Sequence, residues 1–97
     1  MAPEKQAGED IAMRRRRLRY RAWHRGTREM DLILGPYADA MLERLDAPGL
    51  DRLEILMDEQ DTDLLEWLMG QTQPPPGIDI ALIDAIRAFR QAQSAQQ

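Results

Sequence analysis

Apolar residues recur along most of this chain at the three- and four-residue spacings of amphipathic helices. The clearest run is Met30, Ile33, Leu34, Tyr37, Ala38, Met41 and Leu45, which follows the i, i+3, i+4, i+7 template. Gly35-Pro36 interrupts it. Pro36 cannot donate to the carbonyl of Leu32, yet the apolar register continues, so the pattern predicts a kinked helix or two collinear pieces and no long loop. Upstream, residues 11–23 carry a narrower stripe. Leu18 pairs with Ala22 and Tyr20 with Trp23, so this helix is expected to dock on the body rather than nucleate it. Gly26 separates the two helices as a corner. Thr27 follows as N-cap, with Glu29 and Asp31 in the next first turn, where negative charge suits the helix dipole.

Three more helices follow. Asp46 caps the third, with Pro48 in its first turn and Leu50, Leu53, Leu56 and Met57 as its buried face. Asp61 is expected to cap the fourth, in which Leu64, Leu65, Leu68 and Met69 face inward, Trp67 seals the core edge and Gly70 stops the helix. Pro74-Pro75-Pro76 makes residues 71–77 a stiff spacer. Asp79 caps the last helix, whose stripe is Leu82, Ile83, Ile86 and Phe89. No strand-like alternation and no internal repeat is present. The fold class is therefore all-α: a compact five-helix bundle with short connections, a kinked second helix and roughly antiparallel sequence neighbours. Residues 1–10 lack apolar periodicity and read as a disordered tail, 11–93 as one bundle domain and 94–97 as a frayed end.

Charge changes the picture more than composition does. Residues 1–28 hold nine basic residues against three acids, and residues 29–97 hold four against fourteen, so a +6 segment precedes a −10 body. Such polarity steers partners at long range, or lets the basic segment lie on the acidic body. At 97 residues the chain suits one small domain of modest stability. It has no cysteine, hence no disulfide, thiolate or cysteine-based zinc site. No apolar run approaches a bilayer span of about 20 residues. Glu4, Glu9 and Asp10 precede the arginines, unlike a transit peptide, and no secretory h-region is seen. The expectation is a soluble intracellular protein.

Catalytic chemistry finds little to work with. The one serine is Ser94, near the end, and the one imidazole is His24, among arginines. The acid pairs Asp58/Glu59 and Asp61/Asp63 sit at helix ends, where acids serve as caps, without a calcium-loop glycine. No phosphate-cradling glycine motif occurs. The chain is read as a non-enzyme with no catalytic and no metal residues. The arginine segment has two readings. It binds nucleic acid through phosphates, with Tyr20 and Trp23 stacking on bases, or it engages carboxylates on an acidic protein surface. The acidic body repels a polyanion, which favours the protein partner.

Arg25-Gly26-Thr27-Arg28-Glu29, within Trp23 to Gly35, and Asp61-Thr62-Asp63-Leu64-Leu65-Glu66-Trp67-Leu68 carry a family resemblance. They resemble the R-G-x-x-E and D-x-D-L-x-x-W-L segments of the succinate dehydrogenase FAD assembly factors, the SdhE type of bacteria with its mitochondrial counterpart. The likeness covers roughly residues 14–90, in order and spacing. Pro36 and the run Arg14 to Arg17 depart from commoner members. The resemblance implies a five-helix factor, monomeric and cytoplasmic in a bacterium. Such a factor binds the flavoprotein subunit of succinate dehydrogenase, often that of fumarate reductase too, and promotes covalent attachment of FAD to a histidine there. It implies that FAD is attached in the partner, with no cofactor held stably by this chain. The partner-facing residues fall on Arg25, Gly26 and Glu29, with His24, Arg28 and Asp31 beside them. The alternative reading is a small helical nucleic-acid-associated adaptor that uses the basic first helix.

Overall fold

The structure, a computed structural model, describes residues 10–95. The tail expected over residues 1–10 lies outside the described residues apart from Asp10. Five α-helices follow one another: α1 Ile11–Trp23, α2 Arg28–Met41, α3 Ala47–Met57, α4 Asp61–Leu68 and α5 Ile80–Ala95, with a 3-10 turn over Leu42–Arg44 extending α2. None of them is long and apolar enough to cross a membrane.

Local chemistry sets most boundaries. Asp10 accepts the Met13 N–H at 2.8 Å and starts α1. Thr27 accepts the Met30 N–H at 3.3 Å, Asp46 the Gly49 N–H at 3.0 Å and Asp79 the Leu82 N–H at 3.1 Å, each satisfying a donor left open at a helix start. The fourth cap differs from expectation. Gln60 is the N-cap of α4 and makes no side-chain bond there, while Asp61 is the first helical residue, its carboxylate turned to Arg25. α5 runs to Ala95, two residues into the stretch expected to fray.

α2 keeps its α-helical course through Pro36, and its change of geometry comes later, in the 3-10 turn after Met41. It supplies Met30, Ile33, Leu34, Tyr37 and Ala38 to the core. Leu50, Leu53, Leu56 and Met57 of α3, Leu64, Trp67 and Leu68 of α4, and Leu82, Ile83 and Ile86 of α5 close around them. Tyr37 meets Phe89 edge-on, with ring centroids 5.6 Å apart, and burial pushes its hydroxyl pKa up. The principal pairings are α1 with α2, α2 with α5, α4 with α5 and α1 with α3. Two of the four therefore join helices that are not sequence neighbours.

α1 contributes only Leu18 and Ala22 to the core. Polar contacts hold the rest of it. Glu54 of α3 accepts from Arg14 at 3.0 Å and Arg17 at 2.7 Å, and pairs with Arg21 at 3.5 Å. Arg17, and then Arg14, hold the Glu54 carboxyl below its ordinary pKa against the opposing effect of burial. Nη2 of Arg14 also donates to Oδ1 of Asp51 at 2.6 Å, which raises the pKa of Arg14. Arg15 donates to the carbonyls of Leu42 and Leu45, at 2.7 and 2.9 Å, satisfying acceptors where α2 ends.

Candidate functional site

α1 and α2 meet at residues 24–27, and the bracing of that turn decides what it shows to solvent. Gly26 takes φ 105°, a region that strains any L side chain, so glycine is the residue the turn admits. A Cβ built there meets nothing within 4 Å. The constraint is conformational, and the space in front of the glycine is open.

Arg25 was expected to point off this corner with Glu29. Instead it points back into the molecule, its side chain 9% exposed. Nε and Nη2 donate to Oδ1 of Asp61 at 3.0 and 2.6 Å. Nη1 donates to the Met57 carbonyl at 2.7 Å, and Nη2 also to that of Glu59 at 3.3 Å. The backbone N–H of Arg25 donates to Oδ1 of Asp31 at 2.7 Å. The guanidinium thus satisfies carbonyls at the end of α3 and neutralises an acid at the start of α4. Its fan of planar donors suits this task.

Of the other expected residues, His24, Gly26, Arg28 and Glu29 are exposed and Asp31 is half-buried. The side chains of Arg28 and Glu29 make no hydrogen bond or ion pair among the described residues. His24 stacks on Tyr20 with centroids 3.9 Å apart and planes 17° apart. Its Nδ1 lies 2.7 Å from the Tyr20 carbonyl. A carbonyl only accepts, so Nδ1 carries the proton and Nε2 is left to solvent. An open groove of ≈ 420 Å³ runs between Tyr20, Arg21, His24 and Arg25 on one wall and residues 57–61 on the other. The structure therefore groups His24, Gly26, Arg28 and Glu29 on the surface and sets Arg25 and Asp31 behind them.

The sequence reading missed two residues. Asp61 was visible only as a helix cap, because nothing local marks an acceptor 36 residues from its arginine. Gly35 read as an interruption, yet it makes room for the ring of Trp23, which a Cβ there would overlap. Trp23 Nε1 donates to Asp39 at 3.2 Å. Among the described residues no group of three or more His, Cys, Asp or Glu is placed to hold a metal ion.

Fold and surface together define a small all-α protein that presents a braced helix–helix corner. A family model described as the flavinator of succinate dehydrogenase matches residues 16–90, and the chain belongs to that family. Its relatives include a protein named FAD assembly factor SdhE from Acetobacter pasteurianus, 38% identical over 69 residues, covering 71% of this chain and 63% of that protein. A mitochondrial succinate dehydrogenase assembly factor 2 from Aspergillus flavus is 38% identical over 77 residues, covering 79% of this chain and 25% of its own. The protein of that name from Arabidopsis thaliana is 36% identical over 62 residues, covering 64% and 33% respectively. The chain thus spans less than two thirds of the length of these relatives. No solved structure matches it.

Proposed function

We propose that this chain binds the flavoprotein subunit of succinate dehydrogenase and promotes covalent attachment of FAD to it, docking through the exposed edge of the α1–α2 corner. Family membership supports the reaction, and the names of the relatives support the enzyme it serves. The observation that carries the docking site is Gly26, in open space at φ 105° beside Arg28 and Glu29, whose exposed side chains engage nothing among the described residues. A backbone without a side chain admits close approach of a partner backbone. Glu29, in the first turn of α2, accepts hydrogen bonds from the partner, as does Nε2 of His24, while Arg28 supplies donors. FAD is the substrate of the attachment and belongs to the partner. The chain's part is to hold the partner with flavin and acceptor side chain in near-attack geometry, an effect worth several kcal/mol when positioning is right. The same surface serves a fumarate reductase flavoprotein where one is present. The setting is the bacterial cytoplasm and the active form a monomer.

In-gel flavin fluorescence of the flavoprotein subunit, produced with and without this chain, tests the reading. Gly26→Val abolishes the covalent flavin signal while helical circular dichroism stays near that of the parent. Should Gly26→Val unfold, Glu29→Ala carries the test, and undiminished covalent flavin with that variant overturns the docking site.

The fold favours the protein partner over nucleic acid. Arg14, Arg15, Arg17, Arg19, Arg21 and Arg25 all engage carboxylates or carbonyls of the body.

A further inference from the structure

Arg25 spans three elements. It sits in the turn after α1, its backbone N–H is held by Asp31 of α2, and its guanidinium closes on the α3–α4 junction. Among the described residues Asp61 is the one side-chain carboxylate on that guanidinium, receiving two of its N–H groups through Oδ1. It is itself held at the first position of α4, part of a helix that buries Leu64, Trp67 and Leu68. The exposed residues of the corner have no comparable anchor. A Cβ at Gly26 would meet nothing within 4 Å, and the side chains of Arg28 and Glu29 are unengaged among the described residues.

From this we infer that Asp61 is a positioning residue for partner binding: through Arg25 it fixes the α1–α2 corner in the conformation that docks, and Arg25 itself does not reach the partner. The inference rests on the proposed docking reading and deepens it. The physics favours a brace over a contact. To reach a partner the guanidinium would leave Asp61 and two carbonyls, exposing a charge pair and helix-end acceptors that are largely out of water. Lysine cannot replace it. One ammonium on a flexible stem lacks the planar fork that meets Asp61 twice while serving the carbonyls of Met57 and Glu59.

A double-variant cycle on the full chain separates brace from contact, with affinity for the purified flavoprotein read at 20 °C. Asp61→Asn and Arg25→Lys each weaken binding about tenfold, and the double variant weakens it no further, as expected of two members of one network. Asp61→Glu, which keeps the charge, recovers most of the loss. Hydrogen exchange of the free protein quickens at the amides of residues 26–29 in both single variants, which loss of a mere contact residue does not produce. Binding by Asp61→Asn equal to that of the parent overturns the inference, because a freed guanidinium then serves as well or better. So does a double variant weakened by the product of the two single effects. Should Asp61→Asn fail to fold, Arg25→Lys decides alone: unaltered exchange at residues 26–29 overturns the brace. A parent chain that does not bind the flavoprotein sinks the docking reading and this inference together. Parent binding with unchanged variants sinks only the inference.

Discussion

The residue with the tightest steric demand is Gly35. The six-membered part of the Trp23 ring lies where a Cβ would be, and that ring is pinned by its Nε1–H to Asp39. Gly35→Ala therefore pushes α1 away from α2 or drives Trp23 off its rotamer, at a cost of about 1–3 kcal/mol. The thermal midpoint falls by about 4–8 °C for each kcal/mol lost in a domain of this size, which calorimetry reads directly. A normal midpoint shows that the ring moves freely. Single residues are also where sequence reading was uneven. Thr27, Asp46 and Asp79 were legible because a cap satisfies N–H groups two or three residues away. Arg25 was not, because an arginine beside glycine in a polar stretch is equally suited to facing outward. Its inward turn depends on carbonyls and a carboxylate brought near by the packing of α3 and α4.

Among elements, α1 differs from the rest in how it is attached. With Leu18 and Ala22 as its buried apolar residues, it relies on arginines that share Glu54. That carboxyl titrates below its ordinary range because Arg17 and Arg14 hold it charged. A depressed folded-state pKa gives stability that is complete above the unfolded value, about 4.3 for glutamate, and is lost as pH falls through the folded value. The Asp79 carboxyl, lowered by Arg52, acts in the same sense. Glu54→Gln is expected to lower stability at pH 7 by about 1–2 kcal/mol. It also flattens the decline of the thermal midpoint between about pH 5 and pH 3, where the parent loses this contribution. Equal acid sensitivity in parent and variant contradicts the assignment. All five helices were readable from 3.6-residue periodicity, as was the passage of α2 through Pro36. Their pairing was not, since α1 against α3 is built from charges whose partners lie about 40 residues apart.

At the scale of the molecule, the basic segment lies on the acidic body and leaves a net charge of −4. The +6 and −10 halves evident in the sequence left open whether the arginines face a partner or the chain itself. The answer is the chain itself for six of them. A labelled single-stranded oligonucleotide should therefore show no rise in anisotropy up to about 10 µM protein at physiological salt, well within the range where non-specific binders respond. A salt-sensitive rise would mean that the arginines detach from the body to meet phosphates. Arg28 and Glu29 at the corner stand outside these pairings among the described residues. That Gly26 forms the turn between α1 and α2 could be read from the chain alone, whereas the inward course of Arg25 required the folded arrangement of four helices.

Trp23 closes α1 immediately before that corner, and it is one of the two tryptophans in the chain. With Trp67 replaced by phenylalanine, the remaining indole becomes a built-in optical gauge of whether the first two helices are zipped together. Its emission reddens when the seam opens to water, so seating of a client at the turn can be followed in real time without attaching a dye.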